Sequence, residues 1–210
     1  MLDQELKDKI ELFLEPDYCE VVENECELWE WQDTGRSKLT VHLPAEVSIL
    51  CIRDHDNKPR CGFLNQATQY GLKKSVDHII LIQNPNGTWT ANLIEMKSNV
   101  RDSVWQKISL KARATMLNMK ALAAVLGITI DSFKVYTTYE RLNFSADDPT
   151  DLFSRKPKFG GGWKENEWDK NHLPYYATQT QIQSFYHNGI KMAREDIDGQ
   201  STLCGVLALT

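Results

Sequence analysis

The sequence predicts an α/β protein, an α+β arrangement in which helices flank a central mixed sheet that carries one loop insertion. Residues 76–98 hold two apolar segments on either side of Asn-Pro-Asn-Gly at 84–87, a strong turn signature that predicts a β-hairpin. Residues 101–128 then repeat apolar side chains at helical spacing until Gly127 supplies a natural stop. The segment 131–139 is typical of a further strand.

Length and composition indicate one globular domain. The chain has 210 residues, of which 41% are hydrophobic and 25% charged, and a domain takes roughly 150 residues, so we expect one domain with an elaboration. The longest apolar run, 121–128, is far shorter than the roughly 20 residues that cross a bilayer. The first residues lack the pattern of a secretion signal, and the five cysteines form no CxxC pair. These observations predict a cytoplasmic protein with reduced thiols and no membrane segment.

The remaining elements complete the predicted domain, 1–210. Apolar residues at helical spacing up to Phe13 predict a first helix with an acidic outer face, which ends before Pro16. Short β-branched segments predict strands at 37–43 and 46–52, and apolar spacing over 182–190 predicts a later helix. We therefore divide the domain as follows: an acidic, helical N-terminal segment 1–33, a core of about 37–139, a polar loop insertion of about 141–174, and a C-terminal helix and strand within 175–210.

Charge is distributed unevenly along the chain. Residues 1–33 contain 12 acidic and 2 basic residues, whereas 34–210 contain 17 acidic and 22 basic ones, so a net charge of −5 conceals a mildly basic body. The acidic segment is a candidate docking face for a protein partner or for a second copy of the chain. The glycines at 160–162 lack the Lys-Ser/Thr of a P-loop, and the histidines lack the spacing of zinc proteases, so both classes are excluded.

The open end of the predicted hairpin gathers ionisable residues. Folding back at 84–87 places Asp77 opposite Ile94 or Glu95, and Lys97 shares the face of Glu95 because side chains alternate along a strand. Two carboxylates beside apolar strands repel each other unless a cation compensates them. Magnesium or manganese suits such oxygen ligands, which would be Asp77, Glu95 and the Met96 backbone carbonyl. Lys97 could then orient or deprotonate a water and stabilise charge on a phosphate.

The order of these elements, a helix, a strand, a strand with Asp, a strand with Glu-x-Lys, a helix and a strand, resembles the PD-(D/E)xK nuclease superfamily over about 37–139. The resemblance implies a restriction-endonuclease-like core in which Asp77 and Glu95 bind the metal and Lys97 is the catalytic lysine. It also implies a catalytic role for Gln106, because exonuclease-like members often carry a glutamine on the following helix.

Two features depart from that family pattern. Leu110 stands where those members have an aromatic residue, and Val76 replaces the proline of the family motif. An upstream acid on the first helix is common in the family, and either Glu5 or Glu11 could supply it.

Basic residues near the motif indicate nucleic acid as the partner. Between positions 97 and 120 there is one acid, Asp102, and the six bases Lys97, Arg101, Lys107, Lys111, Arg113 and Lys120. The insertion 155–170 mixes five bases with the aromatic residues Phe159, Trp163 and Trp168, a combination suited to phosphate contact and base stacking.

The sequence thus predicts a nuclease that hydrolyses phosphodiester bonds of DNA or RNA through a magnesium-activated water. Two alternatives remain open. One is a catalytically silent subunit of the same fold that binds nucleic acid or a protein, and the other is an interaction or inhibitor protein without a nucleic-acid role.

Overall fold

The computed structural model describes residues 2–16, 18–32, 35–45, 48–52, 72, 74–144, 168, 171–178 and 181–209. Within these ranges the chain forms a mixed α/β structure, as expected from the sequence. The helices are α1 (Gln4–Phe13) and α2 (Asp102–Leu126). The strands are β1 (Cys19–Val21), β2 (Glu25–Gln32), β3 (Gly35–His42), β4 (Ile49–Ile52), β5 (His78–Gln83), β6 (Trp89–Glu95), β7 (Asn99–Val100), β8 (Ile130–Tyr139), β9 (Arg141–Leu142), β10 (His172–Tyr176), β11 (Ile182–Lys191), β12 (Ala193–Ile197) and β13 (Gln200–Ala208).

Most of the described strands belong to two sheets. A seven-stranded sheet has the order β1-β4-β5-β6-β8-β11-β10, and a four-stranded sheet has the order β12-β13-β3-β2, while β7 and β9 form a short pair. In the larger sheet β4, β5 and β6 are antiparallel neighbours, and β6 pairs in parallel with β8 after the crossover through α2. Helix α1, the antiparallel strands β4, β5 and β6, helix α2 and the parallel strand β8 therefore follow one another in this order, with β1 to β3 inserted after α1.

The larger sheet is covered on both faces. Ile79, Leu81 and Leu93 face α1 and α2, whereas Ile80 and Ile94 face the smaller sheet, where they pack in a second apolar core. Because successive side chains of a strand point to opposite faces, a strand buried on both sides is apolar throughout, as in the HIILI segment of β5. Each fully buried Ile or Leu contributes about 1.5–3 kcal/mol.

The hairpin forms as predicted. Its loop is closed by a hydrogen bond from the Gly87 amide to the Asn84 carbonyl (2.9 Å), and Gly87 adopts a positive φ of 82° that favours glycine. His78 pairs with Ile94, so the next positions outward, 77 and 95, lie opposite each other. Of the two registers that the sequence allows, the structure has the one that places the two carboxylates face to face.

Several other predicted elements are also confirmed. Helix α2 ends at Gly127, which has a left-handed φ of 71° and donates its amide to the Ala123 carbonyl. The strands predicted at 37–43, 46–52 and 131–139 correspond to β3, β4 and β8, and the C-terminal strand predicted within 175–210 corresponds to β13. Among the described residues, no helix has the length and apolarity that crossing a membrane requires.

The predicted C-terminal helix is wrong, because residues 182–191 form strand β11. This strand lies between β8 and β10 and buries Phe185 and His187, two positions apart, which is the period of a strand. Gly189 is required at its position, since a Cβ there would come within 2.4 Å of the Trp168 ring. A glycine in mid-helix costs about 1 kcal/mol, whereas here it makes room for that ring.

Two further predicted boundaries need correction. The acidic segment 1–33 is helical only in α1, and its second half forms β1 and β2; β2 pairs with β3 along its whole length and buries Leu28. The predicted loop insertion 141–174 contains β9 and the start of β10. Its central part, 145–167, lies outside the described residues, and so do Phe159 and Trp163.

Trp168 does not offer the base-stacking surface predicted for it. It is only 7% exposed and packs against Trp105 (ring centroids 5.0 Å apart), Tyr139 (5.3 Å) and His187 (4.7 Å). Its apolar area is thus used within the core.

The fully buried His187 in this aromatic cluster predicts acid sensitivity. Burial lowers the pKa of His187 to about 3, and its Nε2 lies 3.1 Å from the Thr137 hydroxyl. The unfolded chain binds a proton at this histidine near pH 6.5 and the folded chain does not. Stability is therefore complete above about pH 6.5 and falls as the pH drops toward 3, by about 2 kcal/mol between pH 6.5 and 5.

Urea unfolding of wild type and His187→Gln at pH 7.5, 6 and 5 tests this prediction. Both proteins share every other titrating group, so the difference between their pH slopes isolates His187. We expect the variant to be less stable at pH 7.5 but to lose less stability on acidification. Equal slopes would show that His187 does not control the acid response.

Candidate active site

Two carboxylates meet where β5 begins and β6 ends. Asp77 directly precedes β5, and Glu95 is the last residue of β6. Strand alternation places both on the helix-facing side, in line with Ile79 and Leu93. Helix α2 fixes the entry to β5, because the Thr115 hydroxyl accepts a hydrogen bond from the Val76 amide (3.0 Å).

Two lysines neutralise this carboxylate pair. The Lys97 Nζ lies 3.2 Å from Asp77 Oδ2 and 2.7 Å from Glu95 Oε1. The Lys111 Nζ, from α2, lies 3.1 Å from Asp77 Oδ1 and 2.7 and 2.9 Å from Glu95 Oε1 and Oε2. We call Asp77, Glu95, Lys97 and Lys111 the carboxylate–lysine cluster. The Glu95 side chain is only 1% exposed and the two lysines 24% and 21%, so the cluster reaches solvent on its lysine side.

Backbone groups hold the cluster in place. The Met96 amide donates to Asp77 Oδ2 (2.7 Å), and the Met96 carbonyl accepts from the Lys97 ammonium (2.7 Å). The carbonyl predicted as a metal ligand therefore faces the cluster, while the Met96 side chain is buried in the other core. Beyond the last β6–β8 pair, the Thr138 hydroxyl accepts from the Lys97 amide (2.9 Å) and donates to its carbonyl (3.1 Å). Thr138 thus fixes the backbone that carries Lys97.

Burial and the neighbouring charges together shift the pKa values of the two acids in opposite directions. Burial alone would raise the pKa of Asp77, but Lys97, Lys111 and the Met96 amide bring it below its usual value. Burial, and next the charge of Asp77, raise the pKa of Glu95 to about 7 against the opposing effect of the lysines. Burial opposes the charged form of Lys97 and Lys111, yet the carboxylates outweigh it and raise the pKa of both ammonium groups. Both lysines are therefore held as cations.

The donors in the cluster suit a hard divalent cation. Asp77, Glu95 and the Met96 carbonyl offer oxygen atoms, and magnesium binds proteins through one or two carboxylates while it keeps several waters. No group of three or more His, Cys, Asp or Glu side chains that could hold a metal occurs in the part of the chain that the structure describes. A cation here would therefore rely on these two carboxylates, with water and substrate in the other positions.

Neither upstream acid belongs to the cluster. Glu5 pairs with Lys9 and lines a cavity together with Trp89 and Gly127. Trp89 begins β6 and Glu95 ends it, so the cavity is separated from the cluster by the length of this strand, about 20 Å. Glu11 is exposed on α1, and within the described ranges it forms no hydrogen bond or ion pair with the cluster.

Gln106 stands apart from the cluster in the structure. It is partly buried on α2, five residues before Lys111, so the two side chains leave the helix about 140° apart. No hydrogen bond joins Gln106 to the cluster among the described residues. Its catalytic role stays a prediction.

The six predicted bases do not form a single exposed ridge. Arg113 is 8% exposed and donates to the Tyr176 carbonyl (3.1 Å), and Lys111 belongs to the cluster. Lys120 lies over the Phe133 ring, 5.8 Å from its centroid. Arg101 and Lys107 are exposed at the start of α2. The exposed bases therefore lie at two separate places, Arg101 and Lys107 at the beginning of the helix and Lys120 near its end.

Lys111 is the cluster residue that sequence reasoning missed. It was counted among the helix bases, but its role as a partner of both carboxylates was not predicted. A signal was present, because Lys111 lies at helical spacing of three and four from Ile108 and Thr115, on the face of α2 that is buried. A lysine on a stripe that faces the core indicates a buried counter-charge.

Comparisons with protein-family models, with curated proteins and with solved structures find no match for this chain.

Proposed function

We propose that this protein is a metal-dependent nuclease that hydrolyses phosphodiester bonds of DNA or RNA at the carboxylate–lysine cluster. The observation that carries the proposal is the convergence of Asp77, Glu95 and Lys97 on one side of the sheet, within direct contact of one another. This constellation agrees with the chemistry of the PD-(D/E)xK superfamily, in which two acids hold the metal and a lysine assists the reaction.

The topology supports a restriction-endonuclease-like core. Three antiparallel strands, a crossover helix and a parallel strand follow a first helix, and the two acids lie at the adjoining ends of the second and third of these strands. The four-stranded sheet and β1 are additions to that core.

The residues of the cluster have different roles in the proposed reaction. Asp77, Glu95 and the Met96 carbonyl would hold magnesium or manganese, which when bound supplies Lewis-acid polarisation of the phosphate and makes water more acidic. Lys97, positioned by Thr138, donates hydrogen bonds and stabilises the charge that builds up on the phosphate. The exposed Arg101 and Lys107 neutralise neighbouring phosphates without a demand on sequence.

A cleavage panel tests this function. We expect wild type to degrade one or more of single- and double-stranded DNA and RNA in magnesium or manganese and not in EDTA, and Glu95→Gln to be inactive. Glu23→Gln is the matched control, since Glu23 is exposed and far from the cluster in the chain. Absence of cleavage of every substrate with either metal would contradict the proposal.

One observation favours a second candidate function, a catalytically silent subunit that binds nucleic acid or a protein. Lys97 and Lys111 already neutralise the two carboxylates, so the cluster is charge-balanced without a metal. This function predicts salt-sensitive binding of an oligonucleotide, or a stable protein partner, with no cleavage. Degradation that requires magnesium would exclude it.

A further inference from the structure

We propose that Lys111 is an exchangeable counter-ion, which occupies the carboxylates while no metal is bound and moves to the substrate phosphate when a divalent cation takes its place. This inference rests on the proposed function and assigns a role to a residue outside the predicted motif. It begins from the contacts of the Lys111 ammonium, which touches three of the four oxygens of Asp77 and Glu95.

The cation and Lys111 compete for these oxygens. The fourth oxygen, Asp77 Oδ2, already accepts from the Met96 amide and from Lys97. Asp77 Oδ2 and Glu95 Oε1 each have two donors already, so a cation that binds Asp77 and Glu95 together competes with the Lys111 ammonium for Asp77 Oδ1 and Glu95 Oε2. The close approach of a divalent cation and an ammonium would also be repulsive.

Of the two ammonium groups, that of Lys111 is the one that the cation displaces from the carboxylates. Lys97 also donates to the Met96 carbonyl, which has a second lone pair for a cation, and Thr138 holds the Lys97 backbone at both the amide and the carbonyl. Within the described ranges, the hydrogen bonds of the Lys111 ammonium all go to the two carboxylates, so no other group there retains it. Its side chain is 21% exposed, and a lysine stem is flexible enough to swing outward.

The charge balance of the cluster indicates where the displaced Lys111 ammonium goes. With both acids ionised, the metal-free cluster holds two negative and two positive charges, and a divalent cation adds two more positive ones. A phosphodiester anion at the cluster offsets part of this excess and offers the released ammonium a new partner. The exposed Lys107 lies one turn earlier on the same helix, which extends this positive surface along α2.

The test measures Mn²⁺ binding by isothermal titration calorimetry, without nucleic acid, in wild type, Lys111→Met and Lys107→Met. Removal of the competing ammonium should tighten Mn²⁺ binding by about tenfold, within the usual range of coupling at a shared site. Lys107→Met removes the same charge from the same helix but touches neither carboxylate, so its Mn²⁺ affinity should match that of wild type. Lys111→Met should cleave more slowly than wild type even with its metal site filled.

A second variant and a second measurement keep the inference testable if Lys111→Met folds poorly without metal. Lys111→Gln keeps hydrogen-bond donors but lacks the charge, and the rise in its melting temperature on adding Mn²⁺ should exceed that of wild type. Wild type that binds Mn²⁺ and cleaves, while both Lys111 variants bind no more tightly, would overturn the exchange and leave the proposed function standing. Failure of wild type and both variants to bind Mn²⁺ would overturn the two together.

Discussion

Replacing Lys97 by methionine is expected to lower the rate of metal-dependent cleavage by about 10²- to 10⁴-fold while Mn²⁺ binding is retained. The substitution removes the ammonium that lies within 3.2 Å of Asp77 and 2.7 Å of Glu95. Both carboxylates and the Met96 carbonyl remain, so the proposed ligands are unchanged. Single-turnover cleavage at saturating metal, together with calorimetric titration of Mn²⁺, separates the two effects.

Lys7→Met is the control for this loss. Lys7 is exposed on α1, and the substitution changes the net charge of the protein by the same amount. We expect this variant to cleave at the wild-type rate. Cleavage at that rate by Lys97→Met would refute the role of Lys97, and a loss of Mn²⁺ affinity parallel to the loss of cleavage would assign the residue to metal binding instead.

The part of the site that the sequence predicts lies within one hairpin. A turn signature and the two-residue period of strands are local properties, and they suffice to bring Asp77, Glu95 and Lys97 to one end of β5 and β6. The prediction left two registers open because the loop length was ambiguous. The observed pairing of His78 with Ile94 resolves this ambiguity.

The fourth member of the cluster depends on packing between distant elements. Lys111 reaches the carboxylates only because α2 crosses over the sheet between β6 and β8, and periodicity alone does not give the position of a helix over a sheet. The position of Glu5 shows the same limit. The helix was predicted correctly, but its first turn lies beside Gly127, at the end of the sheet opposite to Glu95.

The error at β11 has a different physical origin. Helical spacing over 182–190 was inferred from Ile182, Phe185, Tyr186 and Ile190. The buried His187, which marks the strand period, is polar and was not counted as a core residue. Parallel pairing of β11 with β8 joins segments about 50 residues apart, and the parallel pairing of β13 with β3 joins more distant ones. Such contacts override local propensity and leave little trace in the local sequence.

Glu95→Gln is expected to abolish cleavage, because it removes a proposed metal ligand, and its stability in metal-free buffer is the reference for the variant that also lacks Lys111. The substitution leaves two ammonium groups beside the single carboxylate of Asp77. Urea unfolding in EDTA measures the stability, and the cleavage panel measures the activity.

The double variant Glu95→Gln/Lys111→Met separates charge balance from chemistry. It restores one anion, Asp77, to one cation, Lys97, so we expect it to be more stable than Glu95→Gln by about 1–3 kcal/mol, as for residues coupled in one ionic network. Cleavage should stay lost, because a proposed ligand is absent. If the two substitutions instead lower stability additively, Lys111 does not act as the counter-charge of Glu95. If the double variant is more stable than Glu95→Gln but remains inactive, the two lysines balance the carboxylates in the metal-free protein. The carboxylates then have a role in cleavage that is separate from their effect on stability.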